Sequence, residues 1–204
     1  MLRHTMFNGR RLIIPALITL AAGCTRDAEH AAVVDTSGAA PSAQAEPPAT
    51  SPATSPAALN VTERGIGPLQ AGMSVTEANA AVGGALTLPV GADTAGCSYA
   101  QWRGGPPGVR IMAEAGRIVR VDVDSFGTAT VAGAKVGDKE ESVLALYSGR
   151  TTVRPHKYEQ GGRYVTVPDR ADTTFALVFE MIGGRVMRYR AGHRPQVEYV
   201  EGCG

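Results

Sequence analysis

From residue 97 onward, apolar and polar positions alternate in short runs broken by glycine. "GVRIMA" (residues 108–113), with Val109 and Ile111, and "FALVFE" (175–180), with Phe175, Leu177 and Phe179, have period two and run into glycine turns. That pattern predicts a strand entering a hairpin in each place. The returning runs share a Gly-Arg-aliphatic-x-Arg core, Gly116-Arg117-Ile118-x-Arg120 against Gly184-Arg185-Val186-x-Arg188. Strict alternation puts Val119, Val121 and Val123, and likewise Met187 and Tyr189, on one face. Arg120, Asp122 and Asp124, and likewise Arg188 and Arg190, fall on the other. Upstream of each hairpin, "CSYAQW" (97–102) and "GRYVTV" (162–167) supply a third strand.

Before each set of strands the period changes. "GMSVTEANAAVGG" and "GDKEESVLALYSG" each open on a capping-box pair, Ser74 with Glu77 and Asp138 with Glu141, and stop at glycine, Gly83–Gly84 and Gly149. In such a box the first side chain caps a free amide at the helix start and the glutamate reaches back, so two short helices are expected. The fold class that follows is α+β. One domain is expected over 61–204, made of two tandem units of a helix plus a three-stranded antiparallel sheet, about 61–127 and 128–204.

"GIGPLQAGMSVTEANAAVG", with its Gly-x-Leu-x-x-Gly-Met-Ser-x-x-Glu order, resembles the helix-opening segment of small bacterial envelope lipoproteins of the SmpA/OmlA, or BamE, type. A tandem pair of such units is similar to the β-lactamase-inhibitory-protein fold. The resemblance spans Gly65–Val123 and, more weakly, Gly133–Tyr189, where no methionine follows Gly137. It implies helices on one face of the sheet and a habit of binding proteins.

The N-terminal segment has a different character. Arg3, Arg10 and Arg11 precede the apolar run "LIIPALITLAA" (12–22), which is shorter than the roughly 20 residues a spanning helix needs and has the layout of a secretory signal. Ala21, Ala22 and Gly23 then lead into Cys24, which resembles a bacterial lipobox, with Leu20 one residue before the usual leucine position. The resemblance implies cleavage after residue 23, a lipid on Cys24, and, with Thr25 rather than aspartate next, an outer-membrane anchor facing the periplasm. An ordinary signal peptide with an incidental cysteine is the alternative. Residues 24–60, rich in Ala, Pro, Ser and Thr, have too little apolar surface to offset their ordering entropy and read as a tether.

Of three cysteines, lipidation of Cys24 leaves Cys97 and Cys203 as an even pair in an exported, disulfide-permissive compartment. They are expected to be bonded, two separate buried thiols being the other reading. With 20 basic and 19 acidic residues and no long basic run, the chain lacks the concentrated positive surface that nucleic acid requires.

No Gly-x-Ser-x-Gly, His-Glu-x-x-His or phosphate-loop pattern occurs, so no catalytic residue, metal or cofactor is assigned and the chain reads as a non-enzyme. His156 and His193 stand beside prolines in loop-like surroundings; Asp122 and Asp124 have a spacing that suits a hard cation but fit a solvated charged face better. Trp102, before "RGGPPG", and Arg120, Arg188 and Arg190 on the outer sheet face are the candidate partner contacts. These readings describe a lipid-anchored envelope protein acting as a protein-binding or envelope-assembly module, its partners the membrane and another envelope protein. A periplasmic enzyme inhibitor inserting "WRGGPPG" or "RPHKYEQGG", or a hydrolase or sugar-binding protein using a histidine, are the alternatives.

If Cys24 carries the anchor, Cys24→Ser leaves an unprocessed precursor or a form released from membranes, whereas the unaltered protein partitions into detergent. Equal membrane retention of a correctly processed variant, read by fractionation and mass spectrometry, overturns this.

Overall fold

The structure, a computed structural model, describes residues 59–92 and 95–203. The expected signal segment, Cys24 and the tether as far as residue 58 lie outside the described residues. Among the described residues no helix is long and apolar enough to cross a membrane.

The described residues open with three two-residue strands, β1 (Val61–Thr62), β2 (Gly65–Ile66) and β3 (Leu69–Gln70), in a small antiparallel sheet. Helix α1 (Val75–Ala81) follows, then β4 (Leu86–Thr87), β5 (Cys97–Trp102), β6 (Val109–Glu114) and β7 (Arg117–Val123). Helix α2 (Glu140–Leu146) precedes β8 (Thr152–Pro155), β9 (Arg163–Pro168), β10 (Phe175–Ile182) and β11 (Arg185–His193), and a 3₁₀ turn, Gln196–Glu198, begins the C-terminal tail. Strands β4 to β11 form one antiparallel sheet in the order β4-β5-β6-β7-β11-β10-β9-β8.

This corrects the expected fold class. The described region is mostly β, 41% strand and 12% helix, and its eight-stranded and three-stranded sheets are not two units of a helix with three strands. The helices have seven residues each and contribute one fully buried residue apiece, Ala78 and Val143. Strands β4 and β8 escaped the sequence reading because they are short and lack alternation; all four residues of β8 are exposed. The capping box at α1 is present, with Ser74 Oγ accepting from the Glu77 amide and Glu77 Oε2 accepting from the Ser74 amide. At α2 it is absent: the N-cap is Lys139, without a side-chain cap, and Asp138 instead accepts from the Lys135 amide at 2.9 Å.

The two hairpins match in detail. Ala115–Gly116 and Gly183–Gly184 make the two-residue turns, all four with positive φ, the geometry that matches the twist of paired strands. Each hairpin also carries a bulge at the same distance from its turn: Ala113 pairs with Ile118 and Met112 with Arg120, as Met181 pairs with Val186 and Glu180 with Arg188. Val119 and Met187 are the extra residues. The bulge overturns the expected alternation there, because Ile118 and Val186 take the core positions while Val119 is only half buried and Met187 is exposed. Each hairpin is then tied to the segment before its helix: Arg117 Nη1 donates to the Gly72 carbonyl and Arg185 Nη1 to the Gly137 carbonyl, both at 2.8 Å.

The main core lies between one face of the large sheet and the helices with β1–β3, centred on Phe179, whose ring is 5.4 Å from Tyr189 and 5.7 Å from Tyr147. The halves join where β7 meets β11, Tyr189 opposite Val123, Arg190 opposite Asp122, Ala191 opposite Val121 and Gly192 opposite Arg120. At Gly192, φ is +150° and a Cβ would sit 2.2 Å from the Val119 carbonyl oxygen. Gly192→Ala is therefore expected to cost on the order of 2–3 kcal/mol by backbone strain and crowding at the central seam. Urea unfolding measures this, and a change below about 0.5 kcal/mol, the size of an ordinary surface substitution, contradicts it.

Candidate functional site

The face of the large sheet opposite the main core carries charge. Cross-strand neighbours there form two rows, Tyr164–Glu180–Arg188 on β9, β10 and β11, and Thr166–Val178–Arg190–Asp122–Arg110 from β9 to β6. The C-terminal tail lies over part of this face. Val197 and Val200 pack on Tyr164, Ala176 and Val178, Gln196 Nε2 donates to Glu114 Oε2 at 2.6 Å, and Cys203 is bonded to Cys97 at the start of β5, with 5.3 Å between Cα atoms. The expected Cys97–Cys203 pairing is thus present. Outside the sheet, Tyr158 and Lys157 hold Glu201 of the tail, and their donors keep its carboxyl at about 2.

Under the tail the arginines have different duties. Arg120, 3% exposed, meets Asp122 at 2.9 Å (Nε to Oδ1), and its Nη1 donates to the Gln196 and Tyr199 carbonyls at 3.0 and 3.1 Å. Its Nη2 donates to the Tyr99 hydroxyl, which donates in turn to Asp122 Oδ2 at 2.8 Å. Burial, with the Asp122 charge, pushes the Tyr99 hydroxyl up. Arg188 binds Glu180 through two parallel bonds of 2.9 and 2.8 Å. Arg190, also 3% exposed, donates through Nη1 to the Tyr199 and Val200 carbonyls, while Nε and Nη2 have no hydrogen-bond partner. Burial, and then the charge of Arg120, lower its pKa.

A cavity of about 240 Å³ opens on this network, lined by Tyr99, Arg110, Arg120, Asp122, Arg188 and Arg190 and by Val200, Gly202 and Cys203 of the tail. Three of the four expected contacts, Arg120, Arg188 and Arg190, therefore meet at one place. Trp102 is not among them: it packs against the main core, with Gly105 so close that a Cβ there would lie 2.6 Å from the ring. Arg110 and Glu180 were missed by sequence reasoning, although each has the right parity in its alternating run. Nothing in the pattern of the tail announces that it covers this face.

The remaining candidates have structural surroundings. His156 is 4% exposed, stacked 4.5 Å from Tyr164; its Nδ1 accepts from the amides of Tyr158 and Glu159 and its Nε2 lies 3.3 Å from Glu180 Oε1. The ring is turned inward, away from the loop-like exposure expected of it. His193 packs edge-on against Phe175. Asp122 is a buried partner of Arg120 rather than part of a solvated face, and Asp124 lies 3.7 Å from Arg110. Among the described residues no three His, Cys, Asp or Glu side chains are grouped to hold a metal.

No protein-family model, curated protein or solved structure matches the chain.

Burial alone raises the Glu180 carboxyl, but the paired bonds and charge of Arg188, with His156 and Arg190 beside it, outweigh burial and hold it below its ordinary range. A depressed carboxyl contributes stability above its unfolded pKa and loses it as pH falls through the folded value. Arg188→Gln removes the main cause, so the stability difference between the two proteins is expected to be greatest at neutral pH and to shrink as pH falls through the Glu180 titration. At neutral pH the loss is about 1–2 kcal/mol, the low end for bonds to a charged group because Arg188 is half exposed. Melting curves between pH 7 and pH 3 test this; parallel profiles for the two proteins contradict it.

Proposed function

We propose that the protein is a lipid-anchored bacterial envelope protein, held at the membrane through Cys24 and facing the periplasm, whose domain works by binding another envelope protein. The partner docks at the charged face around the arginine cavity. The observation that carries this reading is the convergence of Arg110, Arg120, Arg188 and Arg190 on one cavity at the edge of the tail. Arg110 and Arg188 stand at its mouth, 47% and 48% exposed, and Arg120 and Arg190 form its floor. Arginine in a concave, partly desolvated place is a frequent anchor of protein recognition, because its fork gives direction as well as charge.

The short Gly-Met-Ser motif and its likeness to outer-membrane-assembly lipoproteins support the same class of function. Binding rather than catalysis is favoured by the state of His156, whose ring nitrogens face backbone amides and Glu180 instead of open solvent. A reactive histidine needs one nitrogen free to meet a substrate.

A photo-crosslinking residue placed at position 110 in intact cells is expected to give a discrete adduct with one envelope protein, and the same residue at Val131, an exposed apolar position elsewhere, is expected to give none. Arg188→Gln in the position-110 background should reduce the adduct several-fold. Equal labelling from both positions, or an adduct insensitive to Arg188, sinks the assignment of this face.

A further inference from the structure

We infer that the arginine cavity is a carboxylate-binding site. The inference deepens the docking reading above and rests on it only for the source of the carboxylate. Its starting point is the balance of charge on the cavity floor. Arg120 and Asp122 neutralise one another at 2.9 Å, and Glu180 is taken by both donors of Arg188. Arg190 is left over. Its nearest carboxylate oxygen is Glu180 Oε2 at 3.8 Å, beyond hydrogen-bond length, and only Nη1 is engaged, on carbonyls of the tail.

A guanidinium almost wholly removed from water with two donors unmet is costly, and an anion brought to it recovers that cost. The two unmet donors are Nε and Nη2, which lie along one edge of the guanidinium plane. Their N–H bonds run parallel at the spacing of the two oxygens of a carboxylate, the arrangement that Arg188 already makes with Glu180 next door.

Size and charge narrow the ligand further. At about 240 Å³ the cavity falls below the usual range for sites that enclose a whole drug-sized ligand, roughly 300–1,000 Å³, so it admits a small group rather than a nucleotide or sugar chain. The four arginines face only the carboxylates of Asp122, Asp124 and Glu180, and the one positive charge left unbalanced calls for one negative charge, which a carboxylate has and a phosphate dianion exceeds. At the mouth, Arg110 lies over the Tyr99 ring at 4.8 Å and near Asp124 at 3.7 Å, so it contributes attraction at the entrance without filling the floor. The carboxylate comes either from a partner protein, as an acidic side chain or a chain terminus, or from a free small acid.

The test uses the full chain with its disulfide intact and follows the arginine Nε–H resonances by NMR. Acetate is expected to move the Arg190 signal saturably, and chloride at equal ionic strength is not. Arg190→Gln abolishes the saturable response; should that variant fail to fold, Arg110→Gln, altered only at the exposed mouth, is expected to weaken acetate binding about threefold. N-acetyl-alanyl-alanine with a free C-terminus and N-acetyl-glutamate α-amide, whose side-chain carboxylate is free, separate the sources. At least tenfold tighter binding of either than of acetate assigns the site to a protein terminus or an acidic side chain, and parity with acetate assigns it to a free acid. No saturable shift with acetate, or one with inorganic phosphate alone, overturns the inference. Because crosslinking at position 110 is read separately, a partner adduct without acetate binding refutes the carboxylate and leaves the docking face standing; acetate binding without an adduct does the reverse.

Discussion

The pairing of β7 with β11 holds the large sheet together, and it is possible only because Gly192 leaves room for the backbone of Val119 and Arg120. Without that seam there are two four-stranded sheets, each with an open edge. With it, eight strands twist as one surface, and both faces of that surface have to be covered. The main core covers the first with short helices, the small β1–β3 sheet and the aromatic group around Phe179. The second face receives a tail of about ten residues, far less apolar material than a layer of helices provides.

That inequality explains the chemistry of the second face. A thin cover with only Val197 and Val200 to bury leaves room for charged side chains, and each charge placed there needs a partner. Arg120 with Asp122 and Arg188 with Glu180 satisfy one another, and the tail's own carbonyls accept from Arg120 and Arg190. The tail and the charges are thus mutually dependent. The arginines hold the tail by its backbone, the tail keeps them from water, and the bond to Cys97 keeps the tail in reach.

Much of this was written in the alternation of the chain. The hairpins of β6–β7 and β10–β11, the strands β5 and β9, the glycine turns at Gly116 and Gly184 and the Cys97–Cys203 pair can all be read there, because each depends on residues near in sequence or on a parity argument. The extra strands β4 and β8 cannot, since two- and four-residue edge strands with exposed side chains carry no periodic signal. The bulges at Val119 and Met187 are invisible for another reason: a bulge changes which residues share a face without changing composition. The same limit applies to the site. Arg120, Arg188 and Arg190 are legible as one face, whereas the inward turn of His156, the covering tail and the packing of Trp102 against the main core depend on contacts between distant segments.

The disulfide also divides the domain mechanically. Cys97 and Cys203 close residues 97–203 into a covalent ring that contains every strand from β5 to β11. Tension pulling from the N-terminal side is able to peel away β1–β3, α1 and β4, but it meets a covalent stop at Cys97. Beyond that point force is carried through the bond to Cys203 and around the ring, so the seven strands behind it stay clipped to the tail as the outer elements unravel.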